Sequence, residues 1–198
     1  MDAQKLELKI FVTKDSRALD LEAMIPVFHR WIKNGVLPEL MIDVANYLHV
    51  PEGPGVVLIG HGSDYFMDQG EGRLGLLHNR KRAGSGDAPE QRLADLAHRT
   101  LHAAALLESE PALAGKLRFA TGELLFRIND RLLAPNGDAT FASVREQLER
   151  LARRVFDGPF ELTRAGGPRD LFAVRMTSPK IASLSTLLER VGGPPAAG

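Results

Sequence analysis

Five residues with metal-ligating side chains, His49, His61, Asp64, Asp68 and His78, fall within a span of 30 positions. Imidazole and carboxylate suit zinc, manganese or iron, and a catalytic zinc site needs only three protein ligands. His49, His61, Asp64 and His78 are therefore the candidate ligands of a divalent metal, with Asp43 behind them. Their spacing matches no fixed ligand motif such as H-E-x-x-H. His98 and His102 stand four apart on a predicted helix and share a face, without a third ligand in sequence reach. In Gly60-His61-Gly62-Ser63 a histidine occupies the nucleophile's place in a G-x-S-x-G elbow. Ser63 and Asp64 then read as turn or capping residues rather than as a nucleophile and its helper.

Anion binding has two other candidate segments. Gly70-Glu71-Gly72-Arg73-Leu74-Gly75 is glycine-rich, and Asn79-Arg80-Lys81-Arg82 adds three cations just beyond it. The glycines do not follow a strand and open a helix, as a dinucleotide fingerprint requires, so a hairpin turn and a basic loop are the plainer reading. In Ile128-Asn129-Asp130-Arg131 a strand end supplies an amide, a carboxylate and a guanidinium in succession. The ligand-binding candidates are His61, Asp64, Arg80, Asn129 and Asp130, and a functional Asn129 and Asp130 should face the His61 loop. Arg145, Arg150, Arg153 and Arg154 interleave with Glu146 and Glu149, the pattern of a solvated helix face.

The elements that must position these residues follow from periodicity. Leu6, Leu8, Ile10 and Val12 alternate with Lys5, Glu7, Lys9 and Phe11, which predicts a strand with one face buried. A helix follows from Asp20 to Asn34-Gly35; Pro26 either lies in its first turn or kinks it. Strands are expected at Leu40–Val44, Val56–Ile59, Tyr65–Asp68 and Arg73–His78, the last two joined by a hairpin turn at Gln69–Gly72. Gly84-Ser85-Gly86-Asp87-Ala88-Pro89 reads as a linker before a long amphipathic helix that stops ahead of Pro111. Leu117–Phe119 and Leu124–Ile128 read as strands of a hairpin around Thr121-Gly122. Beyond them come a helix carrying Phe141 to Val155, strands at Phe160–Thr163 and Leu171–Met176, and a short helix from Leu184 to Val191.

The order is a ferredoxin-like βαββ(ββ)αβ with an inserted hairpin, followed by a βαββα segment. The fold class is α+β, with mixed sheet or sheets and about four helices. Residues 1–115 form the first unit and 116–191 the second, in the same compact domain or apart from it. Residues 192–198, Gly-Gly-Pro-Pro-Ala-Ala-Gly, are expected to be a disordered tail.

Composition narrows the function classes. Lys plus Arg and Asp plus Glu are 25 each, so the formal net charge is zero. Coating nucleic acid or an anionic membrane needs a positive excess, and neither partner is expected. A ferredoxin-like sheet can stack RNA bases on aromatics, but two Tyr, one Trp and no RNP-like pattern offer little for that. The absence of cysteine excludes disulfides, thiolate metal sites and a cysteine nucleophile. With no signal-like N-terminus and no apolar run of about 20 residues, a cytoplasmic protein is expected.

Val57-Leu58-Ile59-Gly60-His61-Gly62-Ser63 resembles the strand-plus-HGS start of class II tetrapyrrole chelatases, in which the histidine at the strand end helps bind the metal beside the substrate. That likeness covers about seven residues and begins near residue 57. A broader likeness runs through Ile25–Ile32, Asp43–Pro51, Gly53–His61, Gly72–Lys81 and Arg127–Asn136. These blocks resemble an uncharacterised bacterial and cyanobacterial family, which implies a bacterial cytosolic protein and supplies no mechanism. No cofactor is predicted beyond the possible divalent metal. The function expected is a non-catalytic small-ligand-binding or protein-interaction module, holding a small anionic ligand or a protein partner. A homodimer is also admitted among the partners. The alternative is a metal-dependent enzyme with its His/Asp site around His61.

Overall fold

A computed structural model of the chain describes residues 3–16, 19–81 and 88–192. Most of the predicted linker and all but Gly192 of the predicted tail lie outside the described residues. Eight strands form one sheet in the order β2-β3-β4-β5-β1-β6-β8-β7. They are β1 (Leu6–Val12), β2 (Met41–Tyr47), β3 (Gly55–Gly60), β4 (Ser63–Asp68), β5 (Gly75–Arg80), β6 (Phe119–Ile128), β7 (Glu161–Ala165) and β8 (Phe172–Thr177). Four helices, α1 (Met24–Asn34), α2 (Pro89–Ser109), α3 (Asp138–Phe156) and α4 (Leu184–Val191), complete an α+β fold. No helix among the described residues is long and apolar enough to cross a membrane.

Every neighbouring strand pair is antiparallel. Strands running the same way, β1 with β2 and β6 with β7, are separated by the strands that return between them. Both halves therefore repeat one plan: a strand, a helix, then a meander whose last strand comes back beside the first. The first half returns through four strands and the second through two. The ferredoxin-like order survives as β6-β1-β5 followed by the β4-β3-β2 meander. The two segments share one sheet through the β1–β6 pair, and one apolar core runs from Ala3 to Val191.

Residues 117–128 are not a hairpin. Phe119–Ile128 is a single strand, and Gly122 lies within it. Ile10 faces Leu124 while Val12 faces Phe119, so β6 bulges against β1 around the glycine. A side chain on Gly122 would come within 3.0 Å of Ser178 O. The glycine serves a close approach of backbone rather than a turn. Pro26 sits in the first turn of α1, where its missing N–H costs no hydrogen bond, and Gly35 ends the helix at φ 58°.

The helices lie on one face of the sheet. Leu8, Leu58, Met67, Leu76, Phe126 and Val174 turn toward them and join Phe28, Trp31, Leu101, Leu148 and Leu187 in the core. Among the described residues the opposite face carries no helix, yet Lys9, Phe11, Leu77 and Leu125 on it are buried. What covers them is polar, and it brings together the residues of greatest chemical interest.

Candidate functional site: the helix-free face of the sheet

The register across β5, β1, β6 and β8 aligns two charged rows on this face. Glu7 stands opposite Asn79 and Arg127; Leu125 stands between Lys9 and Arg175. The connector between β4 and β5 folds back over the rows instead of making a tight hairpin. It contains one 3-10 turn, Gly70–Gly72, with Glu71 at φ 59°. Beneath it the wholly buried Lys9 ammonium donates to Asp68 Oδ2 at 2.6 Å, to Gly70 O at 2.9 Å and to Glu71 Oε2 at 3.0 Å. All three N–H donors are thereby used, so no donor of the buried side chain is left without an acceptor. Arg127 reaches Glu71 Oε1 at 2.6 Å, and its Nε lies 2.8 Å from Glu7 Oε2 without aiming its N–H at it. Burial pushes the Glu7 carboxyl up, against the opposing pull of Arg127 and of Asn129, whose amide donates to Glu7 Oε1 at 2.8 Å.

Toward the other end of the same face the Phe11 ring is a platform for cations. The Arg73 guanidinium lies 3.9 Å from its centroid, Lys9 Nζ 5.2 Å and the Arg175 guanidinium 5.5 Å. Arg73 donates to both Glu123 oxygens, at 2.8 and 3.0 Å, and Arg175 pairs with the same carboxylate. Burial alone would raise the Glu123 carboxyl; the hydrogen bonds and charges of Arg73 and Arg175 outweigh it and hold it below the usual range. The whole network is balanced, four cations (Lys9, Arg73, Arg127, Arg175) against four anions (Glu7, Asp68, Glu71, Glu123). Its layers are not. The Arg73 and Arg175 side chains are 39% and 31% exposed and the Glu123 between them only 19%, so the Phe11 platform presents guanidinium to solvent.

No protein-family model matches this chain, and no curated protein matches it in sequence.

The residues singled out by sequence are dispersed by the fold. His61 is exposed in the β3–β4 turn, its backbone N–H bonded to Leu40 O at 2.9 Å. Asp64 is on the helix-free face and is held by Lys81 Nζ at 2.8 Å and by Gly60 N–H at 3.2 Å. Asn129 is at the same end of the same face, but β5 and β1 run between β4 and β6, a separation of about 14 Å. Asp130 caps its own turn, accepting from Leu132 and Leu133 N–H, and Arg80 is buried on the helix side beside Leu6. His49 is exposed in the β2–β3 connection, at the opposite end of the sheet from His61. His78 is fully buried on the helix side. His49, His61, Asp64 and His78 thus do not converge, and the described residues contain no group of three or more His, Asp or Glu able to hold a metal.

A second polar cluster, which the sequence reading missed, lies under α2. Glu39 accepts from Ser63 Oγ at 2.6 Å and from Tyr65 Oη at 2.8 Å, with Arg99 3.5 Å away. The Tyr65 and His78 rings stack 4.5 Å apart, and His78 Nδ1 donates to Thr100 Oγ1 at 3.2 Å, since that hydroxyl spends its proton on Leu96 O. Burial pushes the His78 imidazole down to about 3 and the Tyr65 phenol well above its usual value. A neutral imidazole and a neutral phenol packed against α2 brace the fold; Ser63 has a carboxylate rather than an imidazole as its partner. The missed arginines, Arg73 and Arg175, had one sequence signal: Arg73 stands in the glycine-rich segment weighed for anion binding.

Proposed function

We propose that the protein is a non-catalytic binding module that holds a carboxylate ligand, free or on an acidic partner segment, at Arg73 and Arg175 on the helix-free face. One observation carries the reading: two partly exposed guanidiniums converge over Phe11 and already clasp one carboxylate, that of Glu123. Each guanidinium has five N–H donors in a planar fork, so donors remain on the solvent side of the clasp. A further carboxylate entering there meets positive charge fixed in place by the ring and by Glu123, with little side-chain ordering left to oppose it. A reaction centre finds less support. Ser63, Asp64, Asn129 and Asp130 each engage internal partners in the resting fold.

The test is a calorimetric titration of the full chain with two probes, citrate and an oligoglutamate peptide. Charge-assisted hydrogen bonds contribute roughly 1.5–3 kcal/mol each. The double variant Arg73→Ala/Arg175→Ala should therefore bind at least about a hundredfold more weakly while Arg145→Ala, on the solvent side of α3, binds as before. Saturation by citrate identifies a small ligand, and saturation by the peptide alone an acidic partner. Binding unchanged in the double variant, or no binding of either probe, removes the proposal.

A further inference from the structure

Seven large apolar side chains are exposed among the described residues, and four of them, Leu40, Ile42, Tyr47 and Val50, belong to β2 or the turns beside it. Leu40 is 69% and Ile42 58% exposed. Among the described residues β2 is an edge strand, paired with β3 alone. Edges of this kind are templates for pairing, and soluble proteins usually blunt them with charge, proline or a short strand. The other edge is so defended. β7 is five residues long and carries Glu161 and Arg164, and the turn after it runs through Gly166-Gly167-Pro168. Seven-residue β2 bulges at Ile42 and carries one charge, Asp43, whose carboxylate turns back to accept the Val44 N–H at 2.8 Å, so what it offers a partner is the regular segment from Asp43 to Tyr47.

That hydrogen bond also shows which way the strand faces. The Val44 N–H is not spent on β3, so its N–H and C=O are the pair directed away from the sheet. We infer that two copies of the chain pair through β2, antiparallel about a two-fold axis at Val44, joining their sheets into one. Around that axis Asp43 meets Ala45, the bulge of β2 at Ile42 lies just beyond, and no like charges stand directly opposite. The chain's net charge of zero adds no long-range repulsion between copies. The arrangement is self-complementary and closes at two subunits, whereas β2 on β7 would place apolar side chains against a charged edge and run on as a filament. This surface is separate from the Phe11 platform, so the inference stands whether or not carboxylate binds there.

Light scattering behind size exclusion, with the full chain across the micromolar range, reads the outcome directly. The parent chain should show twice the chain mass, and Ile42→Lys the mass of one chain with an unchanged far-ultraviolet circular dichroism spectrum. Leu132→Lys, a change at a 99% exposed leucine away from β2, should remain dimeric. The chain has no cysteine, so Val44→Cys supplies a unique thiol. Facing residues at the axis have Cα atoms about 5.5 Å apart, within disulfide reach. Mild oxidation should link the two copies in Val44→Cys and leave Leu132→Cys unlinked. A parent chain monomeric throughout, a dimer untouched by Ile42→Lys, or growth beyond two copies would each overturn the inference.

Discussion

Lys9 and His78 show opposite ways of burying an ionisable group. Lys9 is paired by three acceptors, so removing it strands Asp68 beneath the connector and leaves Glu71 with Arg127 alone. Lys9→Met should destabilise the protein by about 3–5 kcal/mol, measured by urea denaturation at neutral pH. His78 is buried neutral, its imidazole pushed down to about 3 by burial. Its unfolded value is near 6.5, so as pH falls below that the unfolded chain takes up a proton which the folded chain refuses. The associated stability is full above pH 6.5 and declines by roughly 1.4 kcal/mol per unit as pH falls toward 3. Burial lowers His98 and His102 as well, in the same direction. His78→Gln should flatten the parent's loss of stability between pH 6.5 and 4 by close to that slope; an unaltered profile would show that His78 takes up its proton in the folded state. Neither role was legible in the sequence. Alternation identified Leu6, Leu8 and Ile10 as the buried face of β1, but Lys9 is buried by a connector about sixty positions away, which no local pattern reveals.

At the level of elements the local signals served well where chain chemistry decides the outcome. Pro26 and Gly35 mark the ends of α1, the apolar stripe from Leu93 to Leu107 gives α2, and the glycine-flanked run Val56–Ile59 lies within β3. They failed where a neighbouring strand decides it, as at Gly122, which reads as a turn and is a point of close approach. Gly55 illustrates how strict such a position can be. It has φ +64°, and a Cβ there would fall 2.1 Å from Met67 O across the β3–β4 pair. Gly72 has the same φ and open space around it. Gly55→Ala should therefore lose well over 1 kcal/mol, and Gly72→Ala clearly less, in paired thermal melts.

The molecule as a whole is tied together by the β1–β6 pair. Because one core and one sheet serve both halves, unfolding should be a single cooperative transition. Fluorescence of Trp31, which reports the first half, should coincide with far-ultraviolet circular dichroism, and residues 1–115 alone should not fold. Separated transitions would show two independent units. The sequence order alone left open whether the halves share a sheet, since strand pairing between residues more than a hundred positions apart has no local signature. The same pairing has a consequence during synthesis. β1 leaves the ribosome well before β6, and one of its edges has no partner until β6 follows, an interval on the order of seconds at ordinary elongation rates. For that time the central strand of the finished sheet is an outer one, and the nascent chain is most exposed to mispairing at the strand that will end up deepest inside it.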